Sequence, residues 1–173
     1  MKTLILGGVR SGKSRLAESL ALKNDLPVTY IATATAGDDE MRARIAAHHA
    51  RRPAHWSIVE EPRALAATLR AHAVPARCVI VDCLTLWITN LLVDTDGAAL
   101  ARELDALLAV IPELPGKIIL VSNETGLGII PLGEITRRFC DTAGRLHQEL
   151  AQRCDRVAFM VAGLPMIIKG EPL

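Results

Sequence analysis

The sequence predicts an α/β fold built on a doubly wound, mostly parallel sheet with helices on both faces. Three observations predict it. Strand-like and helix-like segments alternate along the chain, and several strands, such as residues 118–121, lack polar alternation. A glycine-rich loop joins the first strand to the first helix. Strands that are apolar on both faces are typical of parallel sheets covered by helices.

The elements follow in order from local signals. Apolar runs predict strands at 2–6, 27–32, 56–59, 77–82, 117–122 and 156–162, with an edge strand at 166–169 after a turn at 163–165. Helical periodicity predicts helices at 13–23, 38–51, 62–73, 84–92, 98–110 and 133–153. Loop signals lie at 94–97 and 114–116, and no linker or internal repeat interrupts the pattern. We therefore expect residues 1–173 to form a single domain.

Composition excludes several classes of function. The net charge is only +1, and no basic stripe with interleaved aromatic residues is present, so we expect no nucleic-acid partner. No apolar run approaches the length of a membrane span, and no secretory signal pattern precedes the first strand. The four cysteines form no C-x-x-C pair, which favours reduced thiols and a cytoplasmic location.

The loop after the first strand matches the phosphate-binding pattern G-x-x-x-x-G-K-[ST] at every defined position. It reads Gly7-Gly8-Val9-Arg10-Ser11-Gly12-Lys13-Ser14. In this motif backbone N–H groups converge on a phosphate at a helix N-terminus, the lysine reaches the β- and γ-phosphates, and the serine hydroxyl ligates Mg²⁺. The alternative is a glycine-rich turn that binds nothing. The strand–loop–helix setting favours a P-loop NTPase-type domain that binds a nucleoside triphosphate.

A second candidate residue, Asp82, ends the apolar strand 77–82. A carboxylate at a strand end is the other half of a P-loop site, where it holds Mg²⁺ directly or through water. Many strands end in Asp at a turn, so the position alone is weak support. Thr85, just beyond, would either contribute a hydroxyl or cap the next helix.

The segment 38–53 carries the third candidate site. Acidic residues begin it and Pro53 marks its end, as expected for a helix. On such a helix His48 lies at the edge of the apolar stripe, with Arg44 and Arg52 one turn away on either side. Guanidinium groups depress the pKa of a nearby imidazole, and a neutral imidazole beside anion-binding arginines suits attack on a phosphate. From the spacing alone, a half-buried structural histidine remains the alternative.

Several ordered motifs together resemble one family, the bifunctional adenosylcobinamide kinase/adenosylcobinamide-phosphate guanylyltransferases of cobalamin synthesis. Besides the P-loop, they are YIATA at 30–34, DDEM at 38–41, RIAAH at 44–48, RPAHW at 52–56, VSNETGLG at 121–128 and DTAGRLHQ at 141–148. The resemblance covers essentially the whole chain. It implies phosphorylation of adenosylcobinamide by a nucleoside triphosphate, with ATP and GTP as substrates and Mg²⁺ or a similar cation. It also implies GMP transfer from GTP through a histidine to adenosylcobinamide phosphate.

The resemblance selects His48 as the catalytic histidine, four residues after Arg44 and four before Arg52, with His49 as the adjacent competitor. It also implies nucleotide contacts at Ala32, Thr33, Ala34, His49, Ala50, Arg51, Arg52, Glu60 and Asp82, and metal ligation by Ser14 and Asp82. For Glu60 the alternative is a role in starting the helix at 62.

The resemblance further implies a homotrimer, which the high mean hydropathy of +0.28 favours. The apolar helix faces at 84–92 and 98–110 are the expected contact surfaces.

The end of the strand 117–122 leaves one assignment open. Asn123 and Glu124 follow a central strand, where open α/β sheets place ligands, so they would face either the corrinoid or the transferring phosphate.

Two other classes of function stay open from the residues: a kinase of another small molecule that uses no covalent histidine, and a regulatory GTP switch. The switch is disfavoured because the strand end lacks an Asn-Lys-x-Asp segment.

Overall fold

The computed structural model describes residues 1–23, 25–37, 39–40, 42–43, 52–93 and 97–173. Most of the predicted helix 38–51, including His48, lies outside the described residues. The other predicted elements are present. The strands are β1 (Lys2–Gly7), β2 (Val28–Ala32), β3 (Ser57–Glu60), β4 (Cys78–Asp82), β5 (Lys117–Val121), β6 (Arg156–Val161) and β7 (Leu164–Lys169). The helices are α1 (Lys13–Leu22), α2 (Leu65–His72), α3 (Leu84–Val93), α4 (Gly97–Val110) and α5 (Glu134–Arg153), with a short 3₁₀ helix at Ile111–Glu113.

All seven strands join in one sheet with the order β3-β2-β4-β5-β1-β6-β7. Every neighbouring pair is parallel except β6 and β7. Because β5 lies between β1 and β4, the carboxyl ends of these three strands meet at one edge. Helices cover both faces, so the predicted doubly wound α/β fold is confirmed.

The two faces of the sheet have separate apolar cores. In β4 the side chains of Val79 and Val81 join a core with helices α2 to α5, while Cys78 and Ile80 face α1. This alternation follows from the period of two along a strand. Burying one large aliphatic or aromatic side chain stabilises the fold by about 1.5–3 kcal/mol. The sheet is therefore held from both sides, which makes its carboxyl edge a rigid platform.

The prediction that the apolar faces of the helices at 84–92 and 98–110 form contacts between copies is wrong. Trp87 and Ile88 of α3 and Leu107 of α4 are fully buried against other elements of the same chain. The most exposed apolar side chains lie instead in the loop after β5, where Ile129 and Leu132 are each 97% exposed. The apolar periodicity correctly predicted that these helices have apolar faces, but the faces pack into the core of the same chain.

Two boundaries differ from prediction for local reasons. Helix α2 begins at Leu65 instead of 62, because the Glu61 carboxylate accepts the backbone N–H groups of Arg63 and Ala64 at 2.8 Å each. Edge strand β7 begins at Leu164, because Ala162 (φ 51°) and Gly163 (φ 83°) complete a two-residue hairpin turn. Within the described residues, no helix combines the length and apolar character that crossing a membrane requires.

Candidate active site

The phosphate-binding loop is closed from behind by the hairpin of β6 and β7. A Cβ atom added at Gly7 would lie 2.6 Å from the Met160 carbonyl oxygen, which leaves room for glycine only. The Ser11 carbonyl accepts the Gly163 N–H at 3.0 Å. The loop therefore takes its shape from the last strands of the chain as well as from its own glycines.

Lys13 is a nearly buried cation that curls back over this loop. Its side chain is 7% exposed, and Nζ donates to the Gly8 carbonyl oxygen at 2.5 Å and to Ser11 Oγ at 3.5 Å. Burial lowers the pKa of Lys13, and the nearby Asp82 partly offsets this effect. The Gly8 carbonyl oxygen is a neutral acceptor. A phosphate bound in the loop would offer the Lys13 ammonium group a charged acceptor, and the hydrogen bond would be stronger.

Asp82 at the end of β4 is held by two hydroxyl groups. Its Oδ2 accepts a hydrogen bond from Ser14 Oγ at 2.7 Å and another from the Tyr30 hydroxyl at 2.6 Å. Burial and the Asp82 charge raise the pKa of Tyr30, so this hydroxyl stays protonated and donates. Mg²⁺ takes oxygen ligands and usually keeps several waters, so the Ser14 hydroxyl and the Asp82 carboxylate fit its chemistry.

Arg52 stacks on the outer side of Tyr30. The guanidinium carbon lies 3.5 Å from the centre of the Tyr30 ring, which also stacks on Trp56 with 6.5 Å between ring centres. Arg52 Nε and Nη1 are buried, and neither has a hydrogen-bond partner among the residues that the structure describes. Buried donors are normally satisfied, so this arginine presents free donors for an acceptor such as a phosphate or a base.

Among the residues predicted at the end of β2, Thr33 forms hydrogen bonds with other parts of the same chain. The Thr33 hydroxyl donates to the Cys83 carbonyl at 2.7 Å and accepts the Cys83 N–H at 2.9 Å. The Thr33 carbonyl accepts from Asn90 Nδ2 at 2.8 Å. Thr33 therefore ties β2 to the start of α3, and its predicted contact with a nucleotide stays a prediction. Ala32 pairs in register with both Asp82 and Glu60, which brings these three residues to one edge.

Asn123 and Glu124 lie between the phosphate loop and Asp82. The Glu124 N–H donates to the Gly7 carbonyl at 3.0 Å, and Asn123 Nδ2 donates to Thr85 Oγ1 at 3.1 Å. Asn123 thus reaches toward the start of α3, and Glu124 toward β1. Both residues lie at the carboxyl edge of the sheet, and a contact with the corrinoid or the transferring phosphate stays a prediction.

The structure brings the predicted loop residues, Asp82 and Arg52 into one site. Glu60 is exposed at the end of β3, and Ala34 is half-buried just past β2. His48, His49, Ala50 and Arg51 lie outside the described residues.

Sequence reasoning missed the hydrogen bond of Tyr30 to Asp82 and the buried contact of His147 with Ser122. Tyr30 is the only tyrosine in the chain and lies in the middle of a fully buried strand. His147 shares the buried face of α5 with Ala143 and Leu150 at helical spacing. A polar side chain on a buried stripe was the available signal in both cases.

Comparison with known proteins agrees with this geometry. The family model described as cobinamide kinase / cobinamide phosphate guanyltransferase matches residues 3–168. A bifunctional adenosylcobalamin biosynthesis protein CobP from Pseudomonas aeruginosa is 66% identical over 173 residues, all of both chains. Bifunctional adenosylcobalamin biosynthesis proteins CobU from Escherichia coli and Salmonella typhimurium are 40% and 42% identical over 98% of this chain and 100% of their own.

Two solved structures share the fold. The RadB recombinase matches with a TM-score of 0.54 and 18% identity over 91% of this chain and 73% of its own. A Pyrococcus horikoshii protein matches with a TM-score of 0.57 and 8% identity over 99% of this chain and 87% of its own. These likenesses support a P-loop NTPase-type fold.

Proposed function

This chain belongs to the cobinamide kinase / cobinamide phosphate guanyltransferase family, and we propose that its two reactions use one triphosphate site. The protein is an adenosylcobinamide kinase and adenosylcobinamide-phosphate guanylyltransferase. In the first reaction, ATP or GTP phosphorylates the aminopropanol hydroxyl of adenosylcobinamide. In the second, GTP donates GMP to the resulting phosphate, giving adenosyl-GDP-cobinamide and pyrophosphate. Residues 1–173 act as one catalytic domain, which the single sheet supports.

The contact between Ser14 and Asp82 beside the buried Lys13 carries this proposal. Lys13 holds the β- and γ-phosphates, and the backbone N–H groups of the loop and the N-terminus of α1 face the phosphate chain. Ser14 and Asp82 would hold Mg²⁺, which neutralises charge on the phosphates when bound. The loop, Lys13, Ser14 and Asp82 lie at the same edge of the sheet, so both reactions would use the same phosphate site.

The guanylyl transfer proceeds through His48. One ring nitrogen attacks the α-phosphorus of GTP, the bond to the β-phosphate oxygen breaks, and pyrophosphate leaves. A phosphate oxygen of adenosylcobinamide phosphate then attacks the same phosphorus and displaces the imidazole. Arg52 is four residues beyond His48 in the sequence. Its buried donors, which have no partner within the described part of the chain, suit an anionic phosphate at this step.

The mass of the intact protein after incubation with GTP and Mg²⁺ tests the covalent step. We expect one added guanylyl group whose P–N bond survives alkali and hydrolyses in acid. His48→Ala should abolish the adduct and guanylyl transfer but leave phosphorylation of cobinamide measurable. His49→Ala is the matched control, because on the helix predicted from the sequence neighbouring side chains would point about 100° apart. An adduct that persists in His48→Ala, or maps to His49, would contradict the assignment.

The assembly proposed for the enzyme is a homotrimer. Exposed apolar side chains in the loop after β5 and in the first turn of α5 support a contact between copies; they are Leu127, Ile129, Ile130 and Leu132 in the loop and Ile135 in the helix. Light scattering that finds a monomer at micromolar concentration would contradict the trimer. A cytoplasmic location stays a prediction.

A further inference from the structure

A buried polar network lies directly behind Glu124. His147 on α5 is 5% exposed, and its Nε2 lies 2.7 Å from Ser122 Oγ at the end of β5. Its Nδ1 lies 3.5 Å from Glu124 Oε2 and has no full hydrogen-bond partner. Glu124 Oε1 accepts the Gly126 N–H at 2.6 Å. One end of the carboxylate is thus anchored by backbone, and the other faces the imidazole.

The surroundings determine which ring nitrogen of His147 carries the hydrogen. Burial lowers the pKa of His147, although Glu124 raises it, so the imidazole has one N–H. Because Nδ1 faces an anionic acceptor, the hydrogen belongs on Nδ1, and Nε2 accepts from the Ser122 hydroxyl. Ser122 and His147 together therefore direct an N–H toward Glu124.

We propose that Glu124 is the general base of the kinase step and that His147 is the residue that positions it. The assignment rests on the proposed function. The Glu124 carboxylate takes the proton of the cobinamide hydroxyl as that oxygen attacks the γ-phosphorus. The bond between the γ-phosphorus and the β,γ-bridging oxygen breaks, and the nucleoside diphosphate leaves with the electron pair. The proton passes to solvent as products depart.

Location distinguishes Glu124 from Asp82 for this role. Strand β5 lies between β1 and β4, so Glu124 follows the strand between the phosphate loop and Asp82. Its side chain is 19% exposed, which leaves it open to a substrate. Asp82 already accepts from Ser14 and Tyr30 through one oxygen. The Glu124 carboxylate accepts one backbone N–H and makes one long contact with His147, which can tighten when substrate binds.

The two activities of the enzyme supply an internal control for Glu124. The kinase acceptor is a hydroxyl that must lose a proton, whereas cobinamide phosphate is already an anion. We expect Glu124→Gln to lower the kinase kcat by about 10²–10⁴-fold with little change in KM for adenosylcobinamide. Guanylyl transfer to supplied adenosylcobinamide phosphate should stay within about three-fold of wild type. Glu113→Gln, in the 3₁₀ helix before β5, is the matched control for both assays.

A pair of His147 variants tests the positioning role. Asn places its amide near the Nδ1 position and keeps a donor toward Glu124, whereas Gln reaches the Nε2 position and keeps only the Ser122 contact. We expect His147→Gln to lower the kinase kcat by about ten-fold and His147→Asn to restore most of it. Equal effects of the two variants on the kinase kcat would overturn the positioning role.

The outcomes separate this assignment from the proposed function. If wild-type protein phosphorylates adenosylcobinamide and Glu124→Gln does so equally well, Glu124 is not the base. Equal losses in both reactions would also overturn it, because they would make Glu124 a group shared by the whole site. A wild-type protein that phosphorylates no cobinamide would overturn the proposed function itself.

Discussion

Two carboxylates stand at the ends of neighbouring strands in this site, and their surroundings differ. Asp82 ends β4, where its Oδ2 receives the hydroxyls of Ser14 and Tyr30. Glu124 follows β5, where it receives a backbone N–H and faces the buried imidazole of His147. The two strands pair in register, with Asp82 opposite Val121.

The difference shows how one sheet edge can supply two kinds of chemistry. Neutral hydroxyls orient a carboxylate without cancelling its charge, which leaves Asp82 suited to a cation. The imidazole of His147 lies behind Glu124, and part of the Glu124 side chain stays exposed, which suits the proton transfer that we propose. The partner groups, more than the position in the fold, separate the two roles.

The largest expected effect comes from removing the cation that both proposed reactions use, Lys13. Lys13→Ala should lower both the kinase and the guanylyltransferase kcat/KM by at least about 10³-fold, since both reactions need the phosphate chain held on one loop. Steady-state assays of each reaction measure it, with the exposed Lys23→Ala as the control. Near-normal kinase turnover in Lys13→Ala would show that the loop is wrongly assigned.

A substitution at Tyr30 tests the surroundings of Asp82, and we expect a smaller effect from it. Tyr30→Phe removes one hydroxyl from Asp82 and keeps the ring beneath Arg52. We expect about a 10-fold increase in the Mg²⁺ concentration needed for half-maximal rate in both reactions. Titration of each activity with Mg²⁺ measures this, and unchanged curves would mean that Tyr30 does not orient Asp82.

The smallest expected effect is a pH dependence of stability that comes from His147, the residue beside Glu124. Burial lowers the pKa of His147 in the native state, so below its ordinary value of about 6.5 the unfolded chain binds a proton that the native state does not. The free energy of unfolding should therefore fall as the pH falls through that value. The contribution is at most about 1.4 kcal/mol per pH unit, and His147→Gln should remove it.

Urea unfolding of both proteins at about pH 7.5 and about pH 5.5 measures that difference. Other groups also titrate in this range, so the quantity of interest is the pH slope of wild type minus that of His147→Gln. Equal slopes would mean that His147 keeps an ordinary pKa when folded.

The sequence predicted the parts of the site that depend on neighbours along the chain. Lys13 and Ser14 follow from loop spacing, and Asp82 follows from a strand end. The contact of Tyr30 with Asp82 spans 52 residues, and that of His147 with Ser122 spans 25. Both contacts depend on which strands are adjacent and which helix face meets the sheet, and local periodicity carries neither fact. The same limit explains why the apolar faces of α3 and α4 were mistaken for contact surfaces between copies.

The support that β6 and β7 give to the phosphate loop has a consequence for synthesis of the protein. The loop is translated near the start of the chain, yet Met160 and Gly163, which pack against it, are translated near the end. Strand β1 likewise has both of its neighbours, β5 and β6, in the second half of the sequence. A nascent chain on the ribosome therefore carries the triphosphate motif long before it can assemble the site. We therefore expect substrate affinity to arise only after the hairpin of β6 and β7 has been translated and has packed against the loop.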